Sequence, residues 1–446
     1  MLLALPEESN HVNERRIEMD KLTNLIEEKI APPLIKFSNL RYVQIMQRTF
    51  ISFTALLIIG SLFLLLAALP FEPWQNLIGD FAGKFAAASG VGTSFIGLYV
   101  TVAAAYATIE YYNKHRDEHI DFLAPLILSV ASFLLVVPAK TVATVVEGSD
   151  VPGSFTGVPT DFLGAKGVFV ALIVGIVSIE IYRFFLNKKW TINMPEGVPP
   201  MVANAFTALI PSVFVILFWW IVIVVLSIDI PNIIIGLFTP LISASDTPTT
   251  VVTATFLNRI LWAVGIHGGN VVGAVANPVW TQMTAANQAA MEAGSSLPYM
   301  FSGVFYDNYV WTGLFPLALV MTFSKSKRIK TLGALALPAA LFNIGEPLMF
   351  GLPIVLNPLM MIPFVISYVV IALIAIVLTM TGILPVPVLS IPWITPAPIK
   401  TFLATAGNIP ALLFVLISWA VLAFVFYPFI KAIEKNDLKE GLDQAE

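Results

Sequence analysis

Long apolar runs separated by short polar loops dominate the chain. In the first half they lie at 50–69, 91–109, 122–137, 167–185 and 203–226, and in the second at 310–323, 354–380 and 409–430. Crossing the hydrocarbon of a bilayer takes roughly 20 apolar residues, so each run predicts a transmembrane helix. Two further stretches, 251–266 and 331–350, are apolar enough to enter a membrane but end in polar, glycine-rich clusters, Gly265-Ile266-His267-Gly268-Gly269-Asn270 and Asn343-Ile344-Gly345-Glu346-Pro347. Such clusters stop a helix midway, and broken or re-entrant helices that line a cavity are the expected form of such segments in transporters. The pattern predicts an all-α polytopic membrane protein of about ten transmembrane helices.

The first apolar run is preceded by a polar tail, 1–49, in which basic and acidic residues alternate. Its opening apolar residues are too few for a signal-peptide core, so the first span is expected to be uncleaved. Leu22, Leu25, Ile26 and Ile30 recur at helical spacing before Pro32-Pro33 and suggest an amphipathic helix, lying on the membrane surface or packed on the protein itself. Most Lys and Arg fall in that tail, in the loops around Lys114, Lys188 and Lys327, and after Lys431. The positive-inside rule then places both termini in the cytoplasm, with Lys84, Lys140, Lys166 and Lys400 on or near the outer side. The segment 382–398 holds five prolines and Trp393, and a rigid apolar loop of this kind suits the wall of a binding site.

Composition sharpens the class. Of 446 residues 57% are hydrophobic and 12% charged, with a mean hydropathy of +0.85, which excludes a soluble enzyme. The chain has no cysteine, so thiol chemistry must come from a partner. A net charge of -4 without a basic run argues against nucleic-acid binding. No Walker A motif occurs, so energy must come from an ion gradient or a separate protein. No cofactor is implied, and no second His or Cys lies near His267 at metal-ligand spacing.

Glu346 is the most informative residue, because an ionisable side chain in an apolar segment is functional by default. It is expected either to pair with Arg259 and hold two broken segments together, or to accept a hydrogen bond from a polar substrate or carry a proton. His267 is the one histidine inside an apolar segment, and Gly268-Gly269-Asn270 beside it would let backbone approach a ligand closely. Asp307 and Asn308 open the run that begins near Val310 and would contact a ligand or cap the helix. Glu180 and Arg183 have the spacing of a local ion pair. Trp393 would stack on a sugar ring or sit at the membrane interface.

Together these motifs resemble the membrane subunit (IIC) of bacterial phosphoenolpyruvate-dependent phosphotransferase sugar systems, lactose/cellobiose (diacetylchitobiose) branch. The match is Asn343 to Pro347 continuing through Phe350-Gly351-Leu352-Pro353 to Asn357-Pro358, joined by Gly265 to Asn270 and by Pro392-Trp393-Ile394-Thr395-Pro396. Ile394 stands where many members have Thr, and the usual start resembles Met19-Asp20-Lys21-Leu22, so the residues before Met19 look additional. The resemblance implies a homodimer with a five-helix scaffold and dimerisation domain over 50–230, a substrate-binding transport domain with two re-entrant hairpins over 231–433, and a cytoplasmic tail over 434–446. It implies that Glu346 and His267 bind the sugar hydroxyl that receives phosphate, with Asn343, Asn270 and Asn308 as further binding residues and Trp393 stacked on a ring. The substrate would be a β-linked disaccharide of the cellobiose, diacetylchitobiose or lactose kind. The donor would be a phosphocysteine on a separate soluble IIB protein, itself served by IIA. Two other readings remain open at this point: a proton-coupled sugar transporter with Glu346 as the coupling carboxylate, and a membrane scaffold or receptor.

Overall fold

A computed structural model describes residues 31–69, 72–137, 140–145, 152–157, 162–195, 197–352, 354–355 and 357–440. The proposed helix at Leu22 to Ile30 lies outside them. The N-terminal half comprises α1 (Ala31–Ser38), α2 (Arg41–Ser52), α3 (Thr54–Ala68), α4 (Glu72–Ile78), α5 (Phe81–Thr93), α6 (Ile96–His115), α7 (Leu123–Val136), α8 (Val168–Asn187) and α9 (Pro200–Trp220). Between α7 and α8 a two-stranded antiparallel hairpin pairs β1 (Lys140–Val145) with β2 (Pro152–Gly157). The apolar periodicity gave no sign of it. The C-terminal half comprises α10 (Ile230–Ser245), α11 (Pro248–Ala263), α12 (Gly268–Glu292), α13 (Gly303–Phe305) continued by a π-turn over Tyr306–Val310, α14 (Phe315–Thr322), α15 (Lys327–Leu341), α16 (Glu346–Gly351), α17 (Pro358–Met380), α18 (Ala397–Ala404) and α19 (Ile409–Glu440).

Among the described residues, six helices are long and apolar enough to cross a membrane: Arg41–Ala68, Phe81–His115, Ala165–Asn187, Met201–Val225, Leu359–Met380 and Ile409–Lys439. Leu123–Val136 and Ile230–Ser245 are apolar but shorter. The run expected over 310–323 keeps only the eight-residue α14, because Gly313 adopts φ +77 and turns the chain just before it. The two breaks fall where the polar clusters stand. Helix α11 ends at Ala263 and α12 starts at Gly268; α15 ends at Leu341 and α16 starts at Glu346.

Small residues set the helix spacing. Helices α3 and α5 cross where Gly60 meets Gly92: a Cβ on Gly92 would stand 2.7 Å from the Leu56 carbonyl oxygen and 3.1 Å from the Gly60 Cα. Helix α8 lies as closely on α6, where a Cβ on Gly175 would come within 2.9 Å of the Ala104 Cβ and of the Thr101 carbonyl oxygen. In an apolar solvent such close approach replaces the hydrophobic effect as the source of helix association. Hydroxyls buried in these helices bond back along them, Thr101 to the Gly97 carbonyl at 2.9 Å and Ser129 to that of Pro125 at 2.8 Å, so none is left bare.

Helix α12 joins the two halves, packing on α2 and α5. Near its C-terminal end the Gln288 Nε2 donates to Ser61 Oγ of α3 and to Ser390 Oγ, both at 2.9 Å, while the Ser390 amide donates to Ser61 Oγ at 2.9 Å. Glu180 and Arg183 do form a local pair at 3.6 Å, but the guanidinium lies closer to Glu118, at 2.6 Å, and Glu180 accepts from the Tyr112 hydroxyl at 2.6 Å. Both ends of the pair thus serve contacts between helices. Replacing Gly92 with Val is expected to lower stability by about 1–3 kcal/mol through overpacking of the α3–α5 crossing, read as a lower melting temperature in detergent with the helical circular dichroism retained.

Candidate functional site

The breaks converge on one cavity of about 600 Å³. Its walls come from α3 (Thr54, Leu57, Ile58), the α11–α12 break (Asn258, Trp262, His267, Gly269), the inner face of α12 (Asn277, Trp280, Thr281), the 303–310 segment (Tyr306, Asp307, Asn308), the turn before α16 (Asn343, Gly345, Glu346) and the proline-rich loop (Ser390, Ile391, Trp393). Of the residues singled out in the sequence, His267, Asn308, Asn343, Glu346 and Trp393 therefore meet in one place. Asn270 does not line the cavity. It stands one turn into α12, exposed, where its amide caps the helix start.

Each side chain has a local cause for its position. His267 is the N-cap of α12, and its Nδ1 accepts from the Asn270 amide at 3.0 Å. A ring nitrogen that accepts carries no proton, so the neutral tautomer has its N–H on Nε2. The Trp262 ring lies 4.3 Å away and flanks the imidazole. The adjoining glycines serve a purpose other than the one expected, since a Cβ on Gly268 would overlap the Asn258 carbonyl. There glycine lets α12 start against α11 rather than against a ligand.

Asn343 adopts φ +65, a left-handed conformation that asparagine tolerates better than most residues, and its side chain is buried. Its Nδ2 donates to the carbonyls of Trp393 and Thr395, each at 2.7 Å. Asn343 thereby ends α15, turns the chain toward Glu346 and ties the proline-rich loop to that turn. Glu346 opens α16, exposed, and its carboxylate forms no hydrogen bond or ion pair among the described residues. Asn308 is buried and donates to the Val304 carbonyl at 2.8 Å, so it braces its own π-turn instead of capping a span near Val310.

Arg259 is not the partner of Glu346. Its guanidinium is fully buried among Trp311 (3.7 Å to the ring centre), Tyr368 (4.2 Å) and Phe364 (5.5 Å), with all three nitrogens unpaired. Aromatic faces replace the carboxylate expected from the sequence. Lys400 differs as well. Instead of reaching the outer solvent it is 1% exposed, on α18 beneath the cavity wall. The sequence gave no sign of α3 as a wall, because Thr54, Leu57 and Ile58 read as ordinary membrane residues.

The site's chemistry is acceptor-rich and aromatic. Trp262, Trp280, Tyr306, Trp311 and Trp393 offer flat apolar faces, while Asp307, Asn308, Asn343, Glu346 and His267 supply polar atoms. The buried Tyr306 hydroxyl, Asn258 Oδ1 and Asn343 Oδ1 lack protein partners. Volume and composition lie in the range of small-molecule sites, and the mixture matches a ring compound with apolar faces and hydroxyl edges.

A helical membrane protein with such a cavity belongs to the transporter class. Residues 47–367 match the family described as Phosphotransferase system, EIIC. The chain is 33% identical to the lichenan permease IIC component of Bacillus subtilis (strain 168), covering 95% of this chain and 96% of that protein. It is 32% identical to the cellobiose-specific EIIC component of the Geobacillus stearothermophilus phosphotransferase system, covering 95% of this chain and 96% of that one. The crystal structure of ChbC, the IIC component from the N,N'-diacetylchitobiose-specific phosphotransferase system, superposes with a TM-score of 0.85 at 30% identity, over 94% of this chain and 100% of that chain. The protein belongs to the EIIC family of sugar permeases, cellobiose/lactose type, whose members work with IIB and IIA proteins on a sugar substrate.

Asn343 gives a test of the loop tether. Asn343→Asp sets an acceptor against two carbonyls and is expected to destabilise more than Asn343→Ala, by roughly 1–3 kcal/mol beyond it. Thermal melting would register the difference, and hydrogen exchange would rise across 382–396.

Proposed function

We propose that this permease binds, translocates and presents a β-linked disaccharide of the cellobiose, diacetylchitobiose or lactose kind, and that phosphate reaches the sugar from a phosphocysteine on a separate IIB protein. The observation that carries the reading is the meeting of Glu346, His267, Asn308, Asn343 and Trp393 in one cavity. The printed specificities of the relatives support the sugar class. The lack of cysteine in these 446 residues supports a donor thiol elsewhere.

In the proposed reaction the oxygen of the sugar's C6 hydroxyl forms the new bond to phosphorus while the bond between phosphorus and the cysteine sulfur breaks. The hydroxyl proton passes to Glu346, and the thiolate leaves with IIB. Phosphoryl transfer runs through a loose transition state and depends on positioning and charge. Glu346, without a protein partner and facing the cavity, is free to accept from that hydroxyl, and His267 Nε2–H is free to donate to the same oxygen. Trp393 would hold the ring, and Asn343 would hold Trp393 through its carbonyl.

The architecture around the site is read in the same terms. About ten spans require α11, α14 and α15, shortened by the breaks, to enter the membrane as parts of re-entrant hairpins. The 50–230 half would form the scaffold and homodimer contact, the 231–433 half would carry the sugar, and both termini would lie in the cytoplasm.

The test uses vesicles holding the chain, with phosphorylated IIB added or withheld, and labelled cellobiose, diacetylchitobiose and lactose. Phosphorylated sugar that depends on IIB is the expected product; unmodified sugar that enters with protons would replace this reading with a proton-coupled one. Glu346→Gln should fold normally, yet lower the phosphorylation rate by about 100-fold or more, in the range for loss of a proton acceptor.

A further inference from the structure

The permease reading leaves two charged groups unused, and the fold sets them against each other. Asp307 lies on the π-turn that continues α13, exposed and lining the cavity, and its carboxylate forms no hydrogen bond among the described residues. Lys400, on α18, is 1% exposed, and Asp307 is the charged group with which it interacts. The two elements are bolted together next to this pair, since Thr401 Oγ1 donates to the Asn308 carbonyl at 3.1 Å. Helix α18 follows directly on the loop that carries Ser390, Ile391 and Trp393 into the same cavity.

Resting on the sugar-permease reading, we infer that Asp307 is a second sugar-binding carboxylate, separate from the phosphorylation point at Glu346, and that Lys400 is the positioning residue that keeps it charged and turned into the cavity. A lysine buried in an apolar region is costly without an opposite charge. A carboxylate opposite it stays ionised and, as an acceptor with two oxygens, can take hydroxyl donors from the substrate. Two carboxylates on different walls, one on the 303–310 segment and one at the start of α16, grip a hydroxylated ligand at two places. That arrangement favours a ligand with more than one ring over a monosaccharide, which would reach one grip and forfeit the other. Lys400 touches no cavity surface, so its effect on the sugar runs through Asp307 alone.

The inference is tested on the full chain in lipid nanodiscs by calorimetric titration with cellobiose, lactose and N,N'-diacetylchitobiose, for wild type, Asp307→Asn, Lys400→Met, Lys400→Arg and the Asp307→Asn/Lys400→Met double variant, with melting curves to show folding. For the sugar that wild type binds, Asp307→Asn is expected to weaken affinity about tenfold, one charge-assisted hydrogen bond's worth. Lys400→Met should weaken it comparably, the double variant no further than either single one, and Lys400→Arg should restore most of the affinity. Phosphorylation by IIB at saturating sugar should stay within about threefold of wild type in Asp307→Asn, because the loss is in binding and not in the step at Glu346. Wild-type affinity in folded Asp307→Asn would overturn the inference, as would losses in the two single variants that multiply in the double one. If Lys400→Met does not fold, failure of folded Lys400→Arg to bind within about threefold of wild type overturns the positioning role. Absence of binding by wild type to all three sugars would overturn the permease reading itself, a failure seen before any variant is measured.

Discussion

In a hydrocarbon environment every backbone amide and carbonyl needs a protein partner, and the fold depends on how this is met where the helices break. The turn at Asn343 shows the solution. The chain leaves α15 in a left-handed conformation, and the freed side chain satisfies two carbonyls of a proline-rich loop that has no helix to satisfy them. At the other break, His267 uses a ring nitrogen to satisfy the first turn of α12. The residues that make broken helices tolerable are the same ones that stand at the cavity surface. Stability and site are one set of contacts here.

The cavity does not belong to one half of the chain. Helix α3 supplies a wall, and the Ser61, Gln288 and Ser390 knot ties that helix, α12 and the loop bearing Trp393 into a single corner. Elsewhere close packing through Gly60, Gly92 and Gly175 makes the N-terminal helices a tight unit. A tightly packed unit beside segments interrupted by turns is a physical basis for one part to stay fixed while another moves.

Buried charge is handled in two ways. Arg259 is enclosed by aromatic faces without a hydrogen bond, whereas Lys400 is set against a carboxylate on a neighbouring element. Neither solution is readable from the chain. Arg259 and Glu346, close in type and both within apolar segments, invite pairing on paper, yet the packing of Trp311 and Tyr368 occupies the place a carboxylate would need. Lys400 looks like a loop lysine until α18 turns it inward.

The sequence by itself determined the class. Runs of apolar residues can be stable only in lipid, and polar clusters such as Gly265 to Asn270 and Asn343 to Pro347 can stand inside them only as breaks, so helices, interruptions and the residues worth watching were legible from local chemistry. Glu346, His267, Asn308, Asn343 and Trp393 were legible for that reason. Tertiary structure alone decided which partners those residues take: that Asn343 braces a loop, that Asn270 stays outside the cavity, that α3 forms a wall, that Asp307 faces Lys400. Periodicity records which face of a helix avoids water, and in a membrane nearly every face does. The pattern therefore says little about which helices touch, and only the packing of small residues against backbone settles it.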